Sequence, residues 1–366
     1  MAQMQNAQSV ALQLEKVRDK LPLLYERDDI LLTMIQQRGD VERVSSPNMR
    51  LPLQIRPGGK AGLANMDGGD LGRGSGTTYD VAQVTAVFFR NAVEITKLVE
   101  YASNAPEKAI ENAAKREVKN AMAQFRSFLD KVVQTNGNGV LGTIASITTS
   151  GLPSGVAAQF GMAKPPGAQP VSLFGIVYHQ TNATTGTWLN LNRATYPVEL
   201  ATPTVNANNS ALTPGAVRLA INKVRKALGS NQVRKLIAYT SLEQEHQWEQ
   251  LGVTISQIIK EGAGGRASDL DLLFTGEKSM AGVPIKSSIN ANSTRIDFLD
   301  LSHRGRAVMQ DIDFYDIGGQ TVFPIYGASG GISAAYIFYF VTGFQVWNDS
   351  PRSGAYINNL AIPTGY

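Results

Sequence analysis

The clearest alternation of apolar and polar positions is "MRLPLQIR" at 49–56. Met49, Leu51, Leu53 and Ile55 fall on one side, with Arg50, Gln54 and Arg56 opposite, which is strand spacing. Pro52 cannot donate to a ladder, so the strand is expected at an edge. "TTYDVAQVTAVFFRNAVEIT" at 77–96 is again rich in β-branched and aromatic residues. Between them lies "PGGKAGLANMDGGDLGRGSG", in which eight of twenty positions are glycine: Gly58, Gly59, Gly62, Gly68, Gly69, Gly72, Gly74 and Gly76. Two strands with a Gly-rich tip predict a hairpin over 50–84. Each arm would reach about 50 Å at roughly 3.3 Å per residue. Such an arm is expected to have too few neighbours in its own subunit and to lie on another molecule, with the glycines letting it bend to fit.

Helical spacing dominates elsewhere. Residues 8–38 place Leu12, Leu14, Leu23, Leu24, Ile30, Leu31 and Met34 so that they could cover a partner surface, and Pro22 divides the stretch into shorter pieces. A long helix is predicted over about 105–135. Asn104 serves as N-cap with Glu107 three residues on, and Gly137 and Gly139 mark its end. Ile110, Ala114, Val118, Ala121, Phe125, Leu129 and Val132 form its apolar stripe. Its length would be about 45 Å. The stretch 140–215 reads as a loop-rich sheet region. Thr213 then caps a second helix with Pro214 at its first position and Gly229 past its end. "RKLIAYT" reads as a short buried strand and the residues around Trp248 as a helix. From 283 onward strands dominate: "VPIKSSI", "TRIDFLDL", "RAVMQDIDFYDI" and the apolar stretch 332–347.

Composition narrows the function. The 366 residues are 43% hydrophobic, enough for one large core or two ordinary ones. Charged residues make up only 17%, against about 25% in a typical soluble domain, which leans towards burial against other subunits. There is no cysteine, so disulfides, thiolate metal sites and a Cys nucleophile are excluded. The net charge of +4 is evenly spread, and no basic stripe supports direct nucleic-acid recognition. The N-terminus lacks the pattern of a secretory signal. The uncharged run "GGISAAYIFYFVTGFQVW" is interrupted by Gly, Ser, Thr and Gln and reads as a buried strand rather than a membrane span.

No constellation converges on a reaction. In the Gly-rich stretch Ala61 follows the lysine of "GGKA", where a phosphate loop requires Ser or Thr, and the dinucleotide spacing fails as well. "GASGG" at 327–331 matches a nucleophile elbow around Ser329, the alternative reading as a hydrolase. An elbow needs a following helix, and its fold needs a His downstream; the last His is His303. Asp311 and Asp313 begin like a calcium loop, but Tyr315 occupies the third ligand position. His246 shares a helix with Glu243, Glu245 and Glu249 and reads as a solvated face. No cofactor or metal site is expected.

The order of elements, with "EKAIENAAKREVKNAMAQFRSFLDKVVQTNGNGVLGTI", "DLDLLFTGEKSMAGVPIKSS" and "TRIDFLDLSHRGRAVMQDIDFYDIGG", resembles the major capsid proteins of tailed bacteriophages, which share the Hong Kong 97-type shell fold. The resemblance implies an α+β fold. Residues 1–48 would be an N-terminal arm, and 50–84 an extended loop lying over the adjacent subunit's peripheral domain. Residues 85–144 and 300–347 would form the peripheral domain, with the 105–135 helix as its spine. Residues 145–299 and 348–366 would form the axial domain at five-fold and six-fold positions. It also implies self-assembly into hexamers and pentamers of a virion shell around double-stranded DNA, put together in the host bacterial cytoplasm. Portal, separate scaffolding and decoration proteins would be its other partners, and no membrane is involved. Arg50, Arg56, Arg73, Asp67 and Asp70 are the expected intersubunit ion-pairing residues. Lys60 is the loop's sole lysine, in a family where some members cross-link Lys to Asn. A bacterial nanocompartment shell (encapsulin-like), which packages enzymes, is the related alternative.

Overall fold

The computed structural model describes residues 28–62, 73–96, 113–134, 173–229, 236–251, 279–326 and 330–365. The elements run α1 (Ile30–Arg38), β1 (Asp40–Arg43), β2 (Asn48–Arg56), β3 (Thr78–Thr85), β4 (Val87–Thr96), α2 (Ala113–Val133), α3 (Ile176–His179), β5 (Thr187–Trp188), β6 (Leu191–Asn192), β7 (Thr204–Ser210) and α4 (Pro214–Leu228). Then come β8 (Leu236–Thr240), α5 (242–251), β9 (Ser279–Met280), β10 (Val283–Ser287), β11 (Ile296–Asp300), β12 (Arg304–Phe314), β13 (Val322–Tyr326), β14 (Ile332–Asn348) and β15 (Ala355–Leu360).

A five-stranded sheet follows the order β1-β12-β14-β13, with β4 on the far side of β14. Its spine is the 17-residue β14, antiparallel to β12 from Arg304↔Asn348 to Phe314↔Phe340 and to β4 from Phe344↔Val87 to Ala335↔Thr96. Strand alternation sends Val87, Phe89 and Ile95 to the same face as Phe338, Phe340 and Phe344. There they pack against Phe125, Leu129 and Val132 of α2. Four residues of the expected helix stripe are thus buried, Ala121 among them, and Val118 is half-buried against the same core. Ile110, the Asn104 cap and the side chain of Ala114 lie outside the described residues.

Helix α1 closes the same core with Leu31, Leu32, Met34 and Ile35. Burying each such side chain contributes about 1.5–3 kcal/mol. The residue before α1, Asp29, makes no capping bond. Instead Asp130, 98 positions away, accepts from Leu32 N at 2.7 Å and satisfies one of the free amides of the first turn. Its other oxygen accepts from Asn290 Nδ2 at 2.9 Å. Burial pushes the Asp130 carboxyl up to about 7 while these hydrogen bonds oppose the rise. β1 then adds to β12 in parallel. Within the expected 1–48 arm, helix α1 packs into this subunit's own core against α2 and the sheet, while β1, exposed at all four positions, pairs at the sheet's edge.

A six-stranded mixed sheet has the order β7-β15-β11-β8-β10-β9. Val217, Ala220 and Val224 of α4 cover one face through Val205, Ala238, Ile285, Phe298 and Ile357. Thr213 Oγ1 accepts from Ala216 N at 3.2 Å, and Gly229 ends α4 with φ +92°, both as the sequence predicts. From the other face Ile237, Tyr239 and Leu299 join the core of the five-stranded sheet, so the two sheets share packing. The chain crosses between them at β11–β12 and at β14–β15. His303 Nδ1 and Asp349 Oδ1 meet at 2.8 Å where these crossings run side by side.

The "VSLFGIVYH" run, expected in a sheet region, contains the single helical turn α3. It folds back with β5 and β6 into a third cluster around Trp188, Leu189, Leu191 and Leu200.

Candidate assembly surface

β2 and β3 pair antiparallel from Asn48↔Thr85 to Arg56↔Thr78, the expected hairpin. Its inward residues are Met49, Leu51, Leu53 and Ile55 of β2 with Ala82 and Val84 of β3. They rest on Trp188, Leu200, Phe174, Tyr178 and Tyr196, and on Ala307 and Trp347 of the five-stranded sheet. The hairpin root is therefore seated on its own subunit, a correction to the expectation of too few neighbours. Residues 174–200 supply an apolar seat that lies far away in sequence. Polar contacts lock the root in place. Arg56 Nε pairs with Glu199 Oε1 at 2.5 Å and holds the Glu199 carboxyl below its ordinary range, and Tyr196 OH donates to Asp80 at 3.0 Å.

Beyond the root the arms stay together as far as Gly59 N→Ser75 O at 2.7 Å. Gly59 has φ +92°, and a Cβ on Gly58 would meet Thr77 N at 2.6 Å, so these two positions require glycine locally. Around Gly62, Gly74 and Gly76 space is open, and nothing among the described residues demands glycine there. Arg50, Lys60 and Arg73 are exposed and have no ion-pair partner among the described residues. Asp67, Asp70, Gly68, Gly69 and Gly72 lie outside the described residues. The outward face of the hairpin carries Tyr79 and Val81, both exposed.

The five-stranded sheet has a second face, away from α2. Its near half is covered by the hairpin root and the Trp188 cluster, with Gln345 Nε2 donating to Thr85 O at 3.0 Å and Gln345 Oε1 accepting from Phe174 N at 2.8 Å. The far half is uncovered by described residues. Phe88, 54% exposed, lies across Gly343, where a Cβ would come within 2.4 Å of its ring. Tyr315, Phe323 and Tyr339 form a row of rings with successive centroids 6.2 Å apart. At the sheet's end, Tyr326 and Ile332 pair across β13 and β14 and are 66% and 72% exposed. Exposed apolar and aromatic side chains gathered on one half of a sheet mark an interaction site. The sequence reading missed it, since these residues alternate as any strand would.

The sites weighed for chemistry are dispersed. Asp311 pairs with Arg43 at 2.9 Å, and Asp313 accepts from the next backbone amide. Among the described residues no three His, Asp or Glu side chains gather as metal ligands. Ser329 lies outside the described residues, between two strands, where an elbow needs a helix. His179 is wholly buried, accepting from Trp188 Nε1 at 3.2 Å on Nδ1.

No protein-family model matches the chain, and no curated protein does. Solved structures do. The cyanophage A-1(L) capsid asymmetric unit is similar over 97% of this chain and 99% of its own, at a TM-score of 0.66 and 16% identity. The capsid of the native GTA particle matches over 95% of each chain, at 0.54 and 11%. The capsid of the Myoviridae phage XM1 matches over 95% and 97%, at 0.54 and 9%. Over almost its whole length, the chain has the α+β fold of tailed-phage capsid subunits, the Hong Kong 97-type shell fold.

Proposed function

We propose that this chain is a major capsid protein that assembles with copies of itself into the icosahedral head shell of a tailed bacteriophage, enclosing double-stranded DNA. The observation that carries this is near-complete coverage of capsid subunits in both directions. The unit built on the five-stranded sheet with α2 serves as peripheral domain, and the six-stranded sheet with α4 and α5 as axial domain. The N-terminal arm is the stretch preceding α1. The hairpin beyond Arg56 reaches a neighbour, while Tyr79 and Val81, on the outward face of its root, meet the open aromatic face around Phe88 and Tyr339 of an adjacent copy. Arg50, Lys60, Arg73, Asp67 and Asp70 then act at that contact. The role is structural rather than catalytic, the protein resides in the virion, and portal, scaffolding and decoration proteins are its further partners.

Electron microscopy of the purified protein under assembly conditions tests the reading. Closed shells are expected, and a stable monomer at every salt and concentration tried would overturn it. Nuclease-protected DNA in shells from infected cells supports the phage role. Protected protein cargo in place of DNA would indicate a nanocompartment.

A further inference from the structure

The evenly spread net charge conceals a local imbalance. Helix α4 carries Arg218, Lys223, Arg225 and Lys226 and no acidic residue. Lys223 is engaged, donating to Thr204 O at 2.6 Å. Arg218 and Arg225 are exposed and lie about two turns, roughly 10 Å, apart on one stripe of the helix. Asn222, also exposed, is a helix-face neighbour of both. With Ile221 and Ala281 these three line a groove of about 340 Å³. Ala281, with φ +50°, belongs to the tight turn from β9 to β10. Neither arginine has an ion-pair partner among the described residues.

Two free guanidiniums with an amide between them suit an anion that offers several acceptor oxygens. Guanidinium pairs with carboxylate or phosphate, often through two parallel hydrogen bonds. The acidic side chains of this chain are poorly placed to be that anion. The glutamates of α5 are half-buried, and Glu245 and Glu249 already have partners. Glu199 pairs with Arg56, and Asp311 with Arg43. A DNA duplex, by contrast, carries one phosphate charge per ~1.7 Å of its axis, about six over the ~10 Å between the arginines. Both guanidiniums and the Asn222 amide then meet phosphate oxygens without a particular register. The remaining lining, Ile221 and Ala281, has no donor or acceptor side chain to read base edges.

We propose that the α4 groove binds the phosphate backbone of double-stranded DNA, without sequence preference, through Arg218, Asn222 and Arg225. The inference rests on the shell reading, in which the chain encloses DNA, and adds the residues that touch it. The test measures binding of the full-length, unassembled chain to a short labelled duplex by fluorescence anisotropy over a range of salt concentrations. Wild type is compared with R218Q/R225Q and with R50Q/R73Q, which removes the same charge from the hairpin. Thermal melting first confirms that each is folded. Wild-type affinity is expected to fall linearly with salt on logarithmic axes. R218Q/R225Q should make that slope shallower by about 1.8, the share of two phosphate contacts. It should also weaken binding at low salt by at least ~tenfold, and equally for duplexes of different sequence. R50Q/R73Q should keep the wild-type slope. An unchanged slope in a folded R218Q/R225Q would overturn the proposal, as would an equal loss in R50Q/R73Q. If R218Q/R225Q binds the duplex as wild type does but makes no shells, the groove is a contact between copies and the proposal fails. A wild-type chain that forms shells and binds no duplex sinks this inference alone. One that binds the duplex through these arginines and forms no shells under any condition sinks the shell reading alone.

Discussion

His179 and His303 show how far one residue type diverges with its surroundings. His179 accepts from Trp188 on Nδ1 while Nε2 faces Val346 O at 3.2 Å, so the bonds fit a neutral ring with its proton on Nε2. Burial pushes its pKa down to about 3, with the Arg304 charge adding to the effect. A folded pKa below the unfolded value of about 6.5 means the unfolded chain binds the proton first. The contribution is fully present above pH 6.5 and declines as pH falls towards 3, by up to ~1.4 kcal/mol per pH unit. Urea unfolding from pH 7 to pH 4.5 should therefore show a steeper loss for wild type than for His179→Gln. Equal slopes would show that this proton is not the cause. His303 has the opposite sign. Its bond to Asp349 raises the pKa, so its contribution holds at low pH and is lost as pH rises through the raised value.

Among the elements, the β2–β3 hairpin divides in two. Its root carries Met49, Ala82 and Val84 into the Trp188 cluster, so the root belongs to the stability of the subunit. Among its described residues, the segment between Gly58 and Thr77 contributes none to the buried core. Deleting 58–74 should leave a soluble subunit whose melting temperature is within a few degrees of wild type, since surface changes are worth about ±0.5 kcal/mol. The same variant should fail to make heat-stable shells in electron micrographs. Stable shells at wild-type yield would show that the tip is dispensable for assembly. Helix α1 divides the N-terminal region in the same way, because its amides and apolar side chains find partners on α2.

At the scale of the molecule, two sheets share a core, and one of them carries exposed aromatic side chains that no described residue covers. Tyr326 and Ile332 are too exposed to support the fold. Tyr326→Ser with Ile332→Ser should therefore leave thermal unfolding unchanged while lowering shell yield measured by sedimentation. A matched loss of folding stability would place these side chains in the core instead. The low charge content noted in the sequence fits such a surface, because apolar side chains stand where a monomer would carry ions.

The local elements are legible in the order of residues: the 48–56 and 78–85 strands, the run of strands from 283, the buried stripe of α2, and the cap, first proline and terminal glycine of α4. These depend on residues two to four apart, so their spacing records them. What each face meets is set by contacts between distant parts of the chain. Arg56 pairs with Glu199, 143 positions away, and Asp130 caps α1 from 98 positions away. Likewise Tyr315, Phe323 and Tyr339 form one surface only because β12, β13 and β14 lie side by side. Burial and charge pairing are set by neighbours that the fold brings together, and no local period encodes which neighbours those are.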